Sequence, residues 1–388
     1  MSPGKLPHST PFGPALGKKA GGNYDEVLEI ARSYVPETVD FGFGLLSASS
    51  VNELLMAVYD ALEVHRTLAR KHGVVHRDLS IFNIMMFPTL ECHTDRRNYL
   101  QDFPRPIDES LIRKARTQEN RGARCLIIDY DNSAKLKAGK ASAIHQTTLQ
   151  CRIGTPSYIA RAVCAGAVNS DEAAMFWEEQ MPLLEGNARD IYIKVYGEER
   201  YNKYNDIPAD TIHGGVPPSH IRPSELRAKA KTMPFYHRWE YDAESISWTM
   251  YSALLRVTPA GFTEQPKDIS AVDLTDIWDI LQKHVIPDRP RKVDTRLALL
   301  LNGGEIVLTA LPPCMAPVGE LLLRTIKHVL PSYPLMAEPP PHDDHLHEAM
   351  KRLILQYLVD NRDTPIPLIP HQLRPVYFPE ARAVKQRF

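Results

Sequence analysis

One short polar stretch, residues 75–83, combines residue types and a spacing that could do chemistry. His76, Arg77 and Asp78 follow one another, and Asn83 comes five residues after Asp78. Phosphoryl transfer requires a carboxylate beside the incoming hydroxyl and a second side-chain oxygen on the same loop to hold Mg²⁺. Asp78 is therefore the candidate base and Asn83 the candidate metal ligand. The competing interpretation is a surface loop that only exposes polar residues.

A second carboxylate follows an apolar run later in the chain. Residues 125–128 are predicted to form a buried strand, and Asp129 comes directly after them, followed by Tyr130 and Asp131. An aspartate after a strand commonly forms a turn. Because the first stretch is present, we interpret Asp129 instead as a second Mg²⁺ ligand, with Tyr130 packing beside it.

Capping signals and apolar spacing predict the helix that leads into the first stretch. Ser50 and Glu53 form a capping box, in which the serine accepts from the Glu53 backbone and the glutamate bonds back. Apolar side chains then recur at helical spacing up to Leu68, and Gly73 can end the helix in a left-handed conformation. A long helix thus ends just before His76.

The remaining patterns predict further helices separated by long insertions. Polar insertions are expected at 88–123 and 170–235, and Asp242 can cap a helix that follows the second. Later helices are expected at three ranges, about 272–285, 318–330 and 344–359. The order of one helix, small strands and then many helices predicts a mainly helical α+β domain.

Two more segments complete a set of four motifs. Residues 152–160 read Arg-Ile-Gly-Thr-Pro-Ser-Tyr-Ile-Ala, and residues 237–245 read His-Arg-Trp-Glu-Tyr-Asp-Ala-Glu-Ser. In order, the four segments resemble the motifs H-R-D-[IL]-S-x-x-N, D-[FY]-D, R-x-G-T-x-x-[FY]-x-A and H-R-x-x-x-D-x-E-S of the fungal-type protein kinase family. The resemblance to this divergent branch of the protein kinases covers about residues 45–165 and 234–330.

The resemblance implies a protein kinase-like fold dominated by its helical C-terminal lobe, with ATP, Mg²⁺ and a protein substrate carrying Ser/Thr hydroxyls as ligands. His76 would be a structural member of the loop, and Arg77 would meet a phosphate or an acidic group. Thr155 would place a hydroxyl near Asp78 on the substrate side. The implied site residues are Asp78 as base, Asn83 and Asp129 as cofactor and metal ligands, and His76, Arg77 and Thr155.

The sequence also departs from the pattern that most protein kinases share. Asp131 stands where glycine is usual, and Ala162 replaces a glutamate, which is expected to remove a buried ion pair that anchors the segment. A G-x-G fragment ends at Gly44, but no lysine follows before Lys71, so no clamp for the ATP phosphates is found. A truncated or mis-assembled chain, a catalytically silent pseudokinase that binds or scaffolds partners, and a kinase with an unrecognised lid remain alternatives.

These observations predict four parts of the chain. Residues 1–23 are expected to be a flexible tail, and residues 24–49 a remnant of the small lobe or hinge. The kinase-like helical lobe is expected over residues 50–335, including the two insertions. Residues 336–388 are expected to form a C-terminal helical extension.

Composition narrows the class of protein further. Lys and Arg number 46 against 47 Asp and Glu, which disfavours a nucleic-acid partner or an anionic membrane. Five cysteines without a C-x-x-C pair indicate reduced thiols. A secretory signal is not expected, because the first twenty residues contain no apolar stretch. We expect an intracellular protein, cytoplasmic or nuclear. The pattern does not predict its oligomeric state.

Three clusters have a functional and a structural interpretation. His342, His345 and His347 could bind a metal, but solvated histidines beside a capping Asp343 or Asp344 are the simpler expectation. Basic residues in 88–123 could dock a partner, but a solvated loop is expected. The tyrosines of residues 192–204 are expected to pack the second insertion onto its host.

Overall fold

The computed structural model describes eight stretches of the chain: residues 43–86, 125–136, 149–168, 180–205, 223–288, 294–301, 303–335 and 342–377. The predicted N-terminal tail, the first glycine of the G-x-G fragment (Gly42) and the insertion at 88–123 lie outside these stretches. The second insertion is described only at residues 180–205 and from 223 onward.

Helices and short strands alternate along the described chain. Helices α1 to α11 cover Val51–His72, Arg161–Ala165, Gly186–Tyr196, Glu198–Asn205, Pro223–Thr232, Trp239–Arg256, Ile269–Lys283, Leu297–Leu301, Gly303–Ala310, Ala316–Val329 and His345–Asp360. Strands β1 to β7 cover Phe43–Gly44, Val74–Val75, Ile84–Met86, Cys125–Ile127, Ala134–Lys135, Val257–Pro259 and Leu368–Leu373. This mixture of many helices with small sheets confirms the predicted α+β class at that level.

Helix α1 begins and ends as the capping signals predict. The Ser50 hydroxyl accepts from Glu53 N (3.1 Å), and Glu53 reaches back to accept from Ser49 N (2.7 Å). Gly73 ends the helix with a φ of 64°, and a Cβ there would lie 2.6 Å from Leu136 O. Glycine is therefore required where the chain turns from α1 into β2.

Two small antiparallel sheets hold the loop that follows α1. Strand β2 pairs with β5, and β3 pairs with both β1 and β4. Ile84 lies opposite Ile127, so the residues next to them, Asn83 and Ile128, are neighbours at the end of the ladder. The loop of residues 76–83 thus begins on one sheet and ends on the other.

The core packs α1 against α6 and α11. Helix α6 is buried along nearly its whole length, with Trp248 only 2% exposed, and α10 packs beside α11. Strand β7 pairs with β6, and Leu368 N donates to Ser49 O (2.8 Å) at the start of α1. The helices expected at three later ranges are confirmed as α7, α10 and α11. None of the helices in the described stretches is both long and apolar enough to cross a membrane.

Three local expectations are wrong. Helix α6 begins before Asp242, with Arg238 at the cap position, and the Asp242 carboxylate turns inward instead. Asp344 precedes α11 but caps it with no side-chain hydrogen bond, since its carboxylate pairs with Arg66 (2.6 Å). His345 and His347 are buried rather than solvated, because α11 lies inside the core.

Candidate functional site

The loop of residues 76–83 is shaped by a buried carboxylate from α6. Asp242 accepts from His76 N (2.7 Å) and Arg77 N (2.9 Å), and its Oδ2 also bonds His65 Nε2 (2.7 Å). Burial alone would raise the pKa of Asp242, but attraction to and a hydrogen bond from His65 bring it below its ordinary value. Thr249, further along α6, donates to Leu79 O (3.2 Å). The ionised Asp242 therefore fixes the backbone on which Asp78 sits.

Asp78 is partly exposed and is oriented by donors from two other segments. Oδ1 accepts from Thr155 N (2.8 Å) and Thr155 Oγ1 (2.7 Å), and Oδ2 accepts from Asn132 Nδ2 (3.3 Å). Gly154 precedes Thr155 with a φ of 142°, and a Cβ there would meet Arg77 O at 2.9 Å. A larger residue would push the segment away from the loop. Thr155 therefore lies beside Asp78, where the motif comparison expects it.

Asn83 closes the loop on which Asp78 lies. Its Nδ2 donates to Asp78 O (2.8 Å), which leaves its amide oxygen as the side-chain atom that could bind a cation. Its backbone O accepts from Ile128 N (3.0 Å), so Asp129 begins one residue beyond this contact. The loop and the end of β4 are thus joined at Asn83.

Asp129 has an exposed side chain and a left-handed backbone with a φ of 62°. Its carboxylate makes no capping hydrogen bond with the short turn of residues 130–132 that it precedes. A left-handed aspartate costs about 1 kcal/mol relative to the ordinary helical region, and a turn role would normally offset that with such a bond. The simple turn explanation for Asp129 is therefore weak.

His76, Arg77 and Tyr130 are buried beside the residues that carry these carboxylates. His76 bonds Ile128 O through Nε2 (3.0 Å), and its ring lies 4.8 Å from the ring of the buried Tyr130. Arg77 donates from Nε to Asn132 O (2.5 Å) and, like Asp129, has a positive φ, of 70°. Burial lowers the pKa of His76, so it stays neutral at neutral pH. His76 and Arg77 therefore each bind a backbone carbonyl of residues 128–132, which connects the loop to the stretch after β4.

The segment after Thr155 keeps a buried ion pair despite Ala162. Arg161 is buried and pairs through Nε with Glu244 Oε1 (2.8 Å), and its backbone N donates to the same oxygen (3.0 Å). Ala162 itself makes no ion pair, as expected, but a different buried ion pair anchors the segment one residue earlier. The charges are reversed: the segment supplies the cation, and α6 supplies the acid.

One other group of side chains in the described stretches could offer three metal ligands. Cys164, His284 and Asp294 each place a ligand atom within 4.8 Å of the others, and all three are buried. Asp294, however, is bonded to Arg296 through both carboxylate oxygens, at 3.0 and 2.6 Å. A divalent cation would have to share this carboxylate with a buried guanidinium, which disfavours it.

A second charged region lies along α1, and we call it the buried charge cluster. Glu63 accepts from both terminal nitrogens of Arg200 (3.0 and 2.9 Å) and pairs with Lys351, while Glu348 pairs with Arg352 (3.0 Å). Its members come from α1, α4 and α11 with the residue before it: Glu63, Arg66, Arg200, Asp344, Glu348, Lys351 and Arg352. The rings of Tyr192 and Tyr201 pack against Arg352. The tyrosines therefore attach residues 186–205 to their host, as predicted.

Several residues of the site could not be found from the motifs. Asn132, Arg296 and the pairing of Arg161 with Glu244 depend on contacts between segments that are distant in sequence. Only Asn132 carried a signal, because it is the polar residue directly after the second motif. Four of the six predicted site residues lie in the loop: His76, Arg77, Asp78 and Asn83. Asp129 follows β4, and Thr155 lies in the segment that donates to Asp78.

These elements define a mixed helix-and-sheet protein in which small sheets and a buried helix shape a loop that carries a carboxylate. Residues 34–173 match the family model described as fungal protein kinase. Over this stretch, a little more than a third of the chain, the protein is similar to the fungal-type protein kinases, and the match supports a kinase-like function in the coarse sense. No curated protein and no solved structure matches the chain.

Proposed function

We propose that the chain is a protein kinase-like phosphotransferase that moves the γ-phosphoryl group of ATP to Ser/Thr hydroxyls of a protein substrate. The observation that carries this proposal is the position of Asp78. Its carboxylate is partly exposed, while donors from Thr155 and Asn132 fix its direction. A carboxylate held in this way can orient an incoming hydroxyl and accept its proton. The fold proposed with it is kinase-like and dominated by the helical lobe.

The donor set suits Mg²⁺ as the cofactor that accompanies ATP. Asn83 offers an amide oxygen and Asp129 an exposed carboxylate, and hard oxygen ligands are those that Mg²⁺ prefers. Mg²⁺ commonly uses only one or two protein ligands and completes its shell with phosphates and water. When bound, the ion would offset the charge of the phosphates. Asn83 and Asp129 would hold it, and Asp78 would act on the acceptor hydroxyl.

A second candidate function is a pseudokinase that binds partners without transferring phosphate. The sequence favours it at one point, since no lysine lies between Gly44 and Lys71 to hold the ATP phosphates. A missing clamp would cost orders of magnitude in rate. The site around Asp78 would then keep its shape as part of a binding surface.

Calorimetry with Mg·ATP, run beside a phosphotransfer assay, separates the two candidates. We expect binding and turnover in the wild type, turnover lost in Asp78→Asn with binding retained, and binding weakened in Asp129→Asn. Binding without turnover in the wild type would select the pseudokinase. No binding of Mg·ATP by the wild type would reject the phosphotransferase.

A further inference from the structure

The segment that presents Thr155 is bonded along its backbone by one buried guanidinium. We call residues 152–161 the substrate-side segment. Arg296, which is fully buried, donates from Nη1 to Ser157 O (3.1 Å) and Pro156 O (3.4 Å), and from Nη2 to Ile159 O (2.6 Å). Three carbonyls within four residues thus share a single charged donor, and hydrogen bonds from a charged group are stronger than neutral ones.

A second buried guanidinium holds the end of the same segment. Arg161 pairs with Glu244 and donates from Nη2 to Val329 O (2.5 Å) at the end of α10. Trp248 connects the two arginines, because its Nε1 donates to Glu244 (3.3 Å) and the Arg296 guanidinium lies 4.6 Å from its ring centre. Both arginines are therefore fixed to α6, the helix that also carries Asp242.

The bonds made by Arg296 continue to Asp78 through one turn of backbone. Tyr158 N and Ile159 N both donate to Thr155 O (2.9 Å each), which fixes the turn whose carbonyls Arg296 holds. Thr155 in turn donates its N–H and its hydroxyl to Asp78. The direction of the Asp78 carboxylate is thus set by a chain of contacts that starts at Arg296.

We propose that Arg296 and Arg161 are positioning residues for Asp78. They replace the acidic anchor that the segment lacks at Ala162 with arginines that bond backbone carbonyls and Glu244. The cluster of Cys164, His284 and Asp294 belongs to this device: Asp294 orients Arg296 through both oxygens, and His284 Nε2 lies 3.3 Å from Cys164 Sγ on α2. The effect of the two arginines on catalysis rests on the proposed function, whereas their anchoring of the substrate-side segment does not.

The test compares Arg296→Lys and Arg161→Lys with Arg374→Lys as a matched control. Arg374 is equally buried, pairs with Glu264 and donates to Leu255 O (3.0 Å) and Ala310 O (2.8 Å), away from the segment. Amide hydrogen exchange is measured for peptides of the substrate-side segment and of α11, without ATP. Phosphotransfer kcat and KM for ATP are measured on the same samples.

We expect Arg296→Lys to speed exchange at the Thr155, Tyr158 and Ile159 amides about tenfold relative to α11, and Arg161→Lys to do so less. The kcat should fall about tenfold with KM for ATP unchanged, because only the position of Asp78 changes. Arg374→Lys should change neither.

Equal loosening by Arg374→Lys, or unchanged exchange in both segment variants, would overturn the proposal. If Arg296→Lys does not fold, Arg161→Lys decides, since it keeps a cation beside Glu244. A wild type without phosphotransfer rejects the proposed function alone, because the exchange measurement needs no turnover.

Discussion

The site around Asp78 and the buried charge cluster differ in the partners of their acidic side chains. In the cluster, each acid meets cations directly: Glu63 contacts Arg200 and Lys351, and Glu348 contacts Arg352. Within the described stretches, the Asp78 carboxylate instead accepts from neutral donors of Thr155 and Asn132. Paired acids neutralise the cations between the helices, whereas an acid held by neutral donors has no cation to balance it and, under the proposed function, faces the acceptor hydroxyl. This difference predicts which substitutions affect turnover and which affect stability.

The largest expected effect is on turnover, at Asp78. Asp78→Asn keeps an acceptor for Thr155 but cannot take a proton, so phosphotransfer kcat should fall about 10²- to 10⁴-fold. The free energy of unfolding, measured with denaturant, should change by less than about 1 kcal/mol. Asp363→Asn, at an exposed position, is the control and should leave both unchanged. A large loss of stability in Asp78→Asn would show that Asp78 belongs with the paired acids.

Next in size is the loss of stability in the buried charge cluster. Glu63→Gln leaves Lys351 without its paired acid and Arg200 with Glu348 alone (3.3 Å), and removing one partner of a buried pair costs about 3–5 kcal/mol. Denaturant unfolding of Glu63→Gln and of the exposed Glu198→Gln measures it, and the control should lie within about 0.5 kcal/mol of wild type. The contrast fails if Glu63→Gln is as stable as wild type.

Acid should destabilise the protein through His347, which lies beside the cluster. Burial and the nearby His65 lower the pKa of His347 to about 3. The unfolded chain therefore binds a proton first as the pH falls below about 6.5, so the stability that depends on neutral His347 is complete above that pH and decreases toward pH 3. Between pH 7.5 and pH 5 this group should account for about 2 kcal/mol of lost unfolding free energy.

Unfolding of His347→Gln at the two pH values tests this, with exposed His371→Gln as the control. The His347 variant should lose about 2 kcal/mol less than wild type on acidification, because it cannot take up the proton. Identical losses in both variants would mean that His347 is not held neutral.

The smallest effect is expected at Thr155. Thr155→Ala removes one of the two donors to Asp78 Oδ1 and keeps the backbone N–H, so kcat should fall about tenfold. Thr155→Ser keeps both donors and should recover most of the rate. If alanine and serine give equal rates, the hydroxyl does not orient Asp78.

How much the sequence predicted depends on how far apart the interacting residues are. Helix α1 follows from the local bonds of Ser50 and Glu53, and the loop from a motif of eight residues, so both were predictable. The roles of Asp242 and Arg296 were not, because their partners lie more than 130 residues away. A local rule assigned Asp242 to a helix cap, but its carboxylate instead accepts from a pair of backbone N–H groups in the core.

The pairing of residues near 49 with residues near 367 also has a consequence for synthesis on the ribosome. Val51 N donates to Ile366 O (3.0 Å), and α1 packs on α11. These contacts of α1 can form only after residues about 300 positions later have been synthesised. Contacts of such long sequence separation slow folding and leave apolar surface exposed meanwhile. The part of α1 that packs on α11 will stay uncovered in the nascent chain until residues 345–368 have emerged, and this is the interval in which a chaperone would be most useful.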